Sequence, residues 1–452
     1  MKEKLPLSKQ ISYSLGQFGW SLLSGLVGNY LVFYYIPTEK SGIQVTIPQV
    51  TMLGFLTIIG FIMMMGRFAD AVTDPWIATL SDRSKSKRGR RISFMQKSAI
   101  PFAVFTVLVF WNPIKGESTL NAIFLTATLL LYYLFMTMYV TPFLALLSEI
   151  GHTPNERLNL STYISVTWFL GFAVSSQAPM LWNVFINMGY GKEVSMRMAF
   201  SVFAIIGLIL LLVPVFTIDE KRYCESVPSE LKMIESIKAT FRNREFKVFV
   251  VSDLVYWLAL TIFQSALLYY VTVLLDKPEE MLGFLLIVLG VGSFVFYVPV
   301  NFLAKKFGKK KLLAMAFIMF VVAYVYGSFL GKLPIPATVQ AYILVFITSI
   351  PMAIFGILPN VVIADIAEYD AIKTGIRREG IFFGTRTFMS KIGQMLSMVI
   401  ISGLLLLKKN GSNEIGIRLT AVFAAVFCVA GLILLLMYNE DKILKGITKE
   451  EV

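Results

Sequence analysis

Apolar runs of membrane-crossing length recur along the whole chain, each closed by a short polar stretch. A helix needs about 20 mostly apolar residues to cross a hydrocarbon core roughly 30 Å thick. Runs bounded by charges, Pro or Gly lie at 14–37, 48–80, 95–113, 118–149, 157–184, 194–217, 246–275, 280–304, 312–331, 336–369, 380–407 and 415–438. The pattern predicts an all-α membrane protein with twelve transmembrane helices. They fall in two six-helix bundles, 1–217 and 246–452, joined by the polar stretch 218–245. No segment is long or polar enough to form a separate soluble domain.

Charge gives the pattern a direction. Basic residues crowd the loops after even-numbered spans: Arg83, Lys85, Arg88, Arg90 and Arg91, then Lys221, Arg222 and Lys238, then Lys305, Lys306 and Lys309 to Lys311. Loops after odd-numbered spans hold few. Lys and Arg collect on the cytoplasmic side, so both termini are expected in the cytoplasm. The loop at 81–91 is echoed by 304–311 in the second half.

Composition agrees. The 452 residues are 56% hydrophobic and 15% charged, with mean hydropathy +0.72. A soluble surface needs more charge than that. The net charge of +13 reads as loop bias and not as nucleic-acid binding. Cys224, Cys428 and the lone His152 exclude a clustered His/Cys metal site and make disulfides improbable. The basic N-terminus leads into a run with no small-residue cleavage site, which is expected to stay as the first span. No Walker loop, nucleophile elbow or selectivity-filter repeat appears, so the chain is not expected to be an enzyme or a channel.

The chemistry concentrates in the second span. Asp70 and Asp74 are four residues apart, so a helix places them on one face, with Arg67 three before Asp70. Ionisable groups at bilayer depth are costly unless paired or facing a cavity. Two acids repel, and a cation between them removes the repulsion: Na⁺ held by carboxylate and hydroxyl oxygens, or H⁺ on a coupled pair. The other reading is that one acid pairs with Arg67 to hold the bundle. One arginine cannot neutralise both.

The run Asp70-Ala-Val-Thr-Asp74-Pro75, then Ser81-Asp82-Arg83-Ser84 and Arg88-Gly89-Arg90-Arg91, resembles the signature of the glycoside-pentoside-hexuronide:cation symporter family. Similar matches follow along both halves: Ser12 to Gly19, Pro142-Phe143 with Glu149, Ala364 to Asp370, and Arg378-Glu379-Gly380 with Phe388 and Lys391. The resemblance implies a major facilitator fold in the plasma membrane, working as a monomer. Its function would be cation-driven symport of a carbohydrate by alternating access, with no cofactor beyond the coupling cation. It assigns Asp70 and Asp74 as cation ligands, places Thr73 beside them where melibiose-transporting members have Asn, and adds Thr137. Lys391 takes a coupling role across from them. A related branch carries lysophospholipids, which keeps amphiphile transport as the alternative.

The resemblance also shows what is missing. At the positions of the family's two galactoside-gripping acids stand Ser21 and Val140, and an arginine position is Ile164. Arg386 is gained at a sugar-contacting position. It either binds an anionic solute such as a uronide or pairs internally, for instance with Asp253. Trp20, Ser21, Tyr30, Tyr34 and Trp168 are candidates to line the solute site. Asp82, Arg83 and Arg88 are candidates for a cytoplasmic gate, with Asp365 and Glu368 as partners from the other half.

Overall fold

A computed structural model describes residues 4–53, 56–82, 84–86, 88–151, 154–224, 240–375, 379–407 and 414–448. The chain divides into two compact units, Met1–Glu230 and Leu231–Val452.

The first unit contains α1 (Leu7–Tyr35), α2 (Ile58–Asp82), α3 (Arg90–Leu108), α4 (Thr119–Ile150), α5 (Pro154–Ser175), α6 (Ala178–Asn187), α7 (Lys192–Thr217) and the single turn α8 (Glu220–Tyr223). α1 packs on α5 and α7, α3 on α4 and α7, and α2 on α4. The second unit contains α9 (Arg244–Tyr269, running on through a π turn at Tyr270–Leu274), α10 (Met281–Phe307), α11 (Lys309–Ser328), α12 (Ala337–Thr374), α13 (Glu379–Leu405), α14 (Glu414–Leu436) and α15 (Glu440–Thr448). Here α9 packs on α13 and α14, and α12 on α10 and α11.

Among the described residues, eight helices are long and apolar enough to cross a membrane, or nine if α10, bent by 48° before Pro299, counts as one span. Proline removes a helical hydrogen bond and clashes with the preceding turn, which accounts for that bend. α1, α2 and α3 fall short of the same test because polar residues dilute them. α2 alone carries Arg67, Asp70, Asp74 and Asp82. The structure is mainly helical and multi-pass, as expected, with eight or nine of the twelve expected spans passing this test among the described residues.

The boundary that differs most from expectation opens the second span, and the run 157–184 is broken between α5 and α6. The run 48–80 becomes helical only at Ile58; before it, β1 (Thr51–Leu53) and β2 (Leu56–Thr57) pair antiparallel, Thr51 opposite Thr57. β-branched residues and Pro48 favour extended backbone here over helix.

The echoed loops prove to be the same device built twice. After α7, Glu220 accepts from the backbone N–H groups of Arg90 (3.0 Å), Arg91 (2.9 Å) and Ile92 (2.9 Å), capping the start of α3. After α14, Glu440 accepts from the N–H groups of Lys309 (2.9 Å) and Lys310 (3.1 Å), capping α11. Helix N-termini present unpaired N–H groups and favour a negative charge. One carboxylate, reaching across more than a hundred residues, answers both needs in each unit.

Candidate cation site

The site is built on two helices that nearly touch. A Cβ on Gly66 would stand 2.7 Å from the Tyr133 ring, so only glycine lets α2 lie this close to α4. One turn further, Asp70 is 2% exposed and its Oδ1 accepts from the Thr137 hydroxyl at 3.1 Å. One more turn on, Asp74 Oδ1 accepts from the Thr141 hydroxyl at 3.3 Å. Between the two rungs, the Thr73 hydroxyl donates to Ala69 O (2.8 Å) and lies 3.4 Å from Thr137 Oγ1. The result is a ladder: acids at i and i+4 of α2 face hydroxyls at i and i+4 of α4.

Both helices carry a proline next to the outer rung, Pro75 after Asp74 and Pro142 after Thr141. A proline has no N–H to give to the carbonyl four residues back. The carbonyls of Ala71 and Met138 are thereby released from the helical ladder at the level of the acids. In a bilayer such groups need another partner. Carboxylates, hydroxyls and carbonyls together are the hard oxygen donors that a small cation takes.

Arg67 does not cancel the pair. Its guanidinium lies over the Tyr133 ring at 5.3 Å, within electrostatic reach of Asp70, and its Nε is buried without a hydrogen bond. Arg67, Asp70 and Asp74 together carry a formal charge of −1.

The structure sorts the other candidates. Trp20 and Trp168 form an edge-to-face pair at 5.1 Å, and Trp168 is 41% exposed. Ser21 is buried and gives its hydroxyl to the Trp168 carbonyl, so it does not line a solute site. Tyr30 is also withdrawn, fully buried between Trp182 and Phe200 with its hydroxyl on Ser176 O at 2.9 Å. Tyr34 is 1% exposed and is held by Asn112 and Arg197 at 3.1 Å each. These tyrosines are core residues because α1 is covered by α5 and α7, which its sequence did not reveal.

Of the gate candidates, Asp82 pairs with Arg91, and Asp365 with Lys309, each inside its own unit. Arg91 also reaches Glu149 (3.1 Å) and Ser81 (2.7 Å), while Arg90 reaches Glu149 at 2.8 Å. Arg88 rests over the Phe216 ring at 5.9 Å, and Glu368 is exposed on α12. Arg83 lies outside the described residues. Lys391 is carried by α13 in the second unit. Arg386 makes a two-point pair with Asp253, Nε to Oδ2 at 2.9 Å and Nη2 to Oδ1 at 3.1 Å. Of the two readings of Arg386, internal pairing is the one seen.

A family model described as MFS/sugar transport protein matches residues 12–442. The chain belongs to that family. It is therefore a membrane transporter and not an enzyme, and the resemblance to glycoside-pentoside-hexuronide:cation symporters holds over nearly its full length. It is 26% identical to a putative glycoside/cation symporter, YagG, of Escherichia coli, over 95% of this chain and 90% of that one. It is 23% identical to an isoprimeverose transporter of Lactiplantibacillus pentosus, over 90% and 81%. Among solved structures it is similar to a D-xylose-proton symporter, with TM-score 0.63 at 14% identity over 93% of this chain and 96% of that one. At that identity the likeness speaks for the fold alone.

Sequence reasoning missed Thr141, Glu220 and Glu440. Thr141 had a usable signal, since it stands to Thr137 and Pro142 as Asp74 stands to Asp70 and Pro75.

Proposed function

We propose that the protein is a secondary symporter that carries a glycoside across the plasma membrane on the gradient of a small cation, bound at Asp70 and Asp74. The single observation that carries this reading is the ladder of two acids against two hydroxyls between α2 and α4. Thr73, Thr137 and Thr141 supply the neutral oxygens. Cation binding relieves the repulsion between the acids and stiffens the contact between the two helices. If that stiffened state has higher solute affinity, linkage requires solute to raise cation affinity by the same factor. Twelve-helix transporters of this class work by alternating access around a site near the bilayer midplane. The reading needs no cofactor and no second subunit.

The test is uptake into proteoliposomes of radiolabelled isoprimeverose, xylose and a methyl glycoside, with Na⁺, Li⁺ or proton gradients imposed in turn. Gradient-driven accumulation that Asp70→Asn and Asp74→Asn each abolish supports the assignment. Accumulation that survives both substitutions refutes it.

A further inference from the structure

The second unit holds a polar cluster that the cation site does not use. Three of its helices contribute: Asp253 and Trp257 from α9, Asn360 from α12, and Arg386 from α13. α13 lies hard against α9, since a Cβ on Gly393 would stand 2.5 Å from the Leu254 carbonyl. That approach lets Arg386 reach Asp253 across the helix pair.

Donors and acceptors can be counted here. Arg386 has five N–H groups in a fixed fork. Nε and one Nη2 hydrogen go to Asp253, and one Nη1 hydrogen goes to Asn360 Oδ1 at 2.7 Å. Two guanidinium hydrogens remain. Asn360 must turn its oxygen to Arg386, which can only donate, so its amide NH₂ points away with two further donors. Trp257 sits one turn from Asp253, half-buried, with its indole N–H turned to the Asp253 carboxylate, which leaves the ring face as what it can offer a solute. Asn360 is exposed although it lies within a span of 38 residues. Hydrocarbon does not tolerate such an amide, so this face meets water or a polar solute.

The charge balance decides what kind of solute. Asp253 is 2% exposed and cancels Arg386. An anion that captured the guanidinium would strand a buried carboxylate, and breaking one partner from a buried pair is strongly unfavourable. Lys391, five residues on, lies roughly 140° around the helix from Arg386 at 3.6 residues per turn, and it is itself engaged. Asp253 therefore turns Arg386 from an anion receptor into a rigid neutral donor group.

We propose that Asn360, Trp257 and the Asp253-locked Arg386 form a charge-neutral subsite that binds the hydroxyls and ring face of a neutral glycosyl unit and discriminates against acidic sugars. This rests on the glycoside reading above and names its substrate class. Asn360 and Arg386 donate to hydroxyl oxygens, and the indole offers a face on which a pyranose ring can lie.

The experiment is direct binding to the reconstituted full-length protein. Quenching of tryptophan emission by p-nitrophenyl xyloside, glucoside and galactoside is compared with quenching by p-nitrophenyl glucuronide. The expected result is that at least one neutral glycoside binds tenfold or more tightly than the glucuronide. Asp253→Asn should shrink or invert that ratio by at least tenfold, and Asp253→Asn with Arg386→Gln should restore it. Because Asp253→Asn strands a charge and can fail to fold, Asn360→Ala at the exposed position gives an independent measure, with neutral affinity falling about tenfold. A wild-type preference for the glucuronide overturns the proposal, and so does an unchanged ratio in Asp253→Asn with unchanged affinity in Asn360→Ala. If wild type binds neither class of glycoside, the glycoside reading itself fails and the subsite with it.

Discussion

Replacing Thr137 by Val keeps the shape of the side chain and deletes one hydroxyl from the inner rung of the ladder. That hydroxyl donates to Asp70 at 3.1 Å in a nearly closed environment. A hydrogen bond to a charged group contributes about 1.5–3 kcal/mol, and about 1.4 kcal/mol is a factor of ten in affinity. The variant also loses an oxygen that could touch the cation. The cation concentration that half-saturates uptake should therefore rise about ten- to a hundredfold. Thr137→Ser, which keeps the oxygen, should stay within about threefold on the same scale. The assay is initial uptake in proteoliposomes against cation concentration, with solute affinity measured again at saturating cation. Linkage demands that solute affinity recover there if the damage is confined to cation binding. The reasoning is refuted if Thr137→Val assembles normally and its cation dependence matches wild type, or if solute affinity stays low at saturating cation.

Other outcomes follow from the same contacts. Thr141→Val should shift cation dependence in the same direction but less, because its bond to Asp74 is longer at 3.3 Å, and the double variant checks whether the rungs act together. Gly66→Ala forces a methyl group into the Tyr133 ring, so cation-coupled uptake should fall sharply while Gly28→Ala, with open space around it, leaves uptake unchanged. Glu220→Ala removes the acceptor for three N–H groups and should lower stability by about 1–2 kcal/mol, as cap deletions do, read as a drop in the melting temperature of purified protein. Burial holds the Glu220 carboxyl above its ordinary value of 4.5, against the pull of the three N–H donors. An acid with a raised folded pKa binds more protons folded than unfolded, so its contribution is full below 4.5 and fades as pH rises through the folded value. Melting curves from pH 4 upward should show that component in wild type and lose it in Glu220→Gln.

The sequence was most readable where physics leaves few choices. Apolar runs of lipid length can only be spans, and Asp70 with Asp74 can only be expensive unless used. What stayed hidden depended on partners far along the chain. Asp253 meets Arg386 across 133 residues and Glu220 caps a helix begun 130 residues earlier; no local pattern encodes either distance. Tyr30 and Tyr34 misled because an aromatic on a membrane helix looks the same whether it faces a cavity or a neighbouring helix. Thr141 lies between these extremes, recoverable from its parallel with Asp74 once α2 and α4 are known to touch.

The twin carboxylate caps bear on where the molecule can bend. Each ties the segment leaving the last long helix of a unit to the first turn of that unit's third helix, so neither can slide along the other without breaking two or three hydrogen bonds at once. At those corners each unit is braced like a truss. Whatever strain a transport cycle imposes is then pushed away from the α3 and α11 starts, toward joints with no such brace: the proline-softened stretches beside Asp74 and Thr141, where the cargo's fuel would bind.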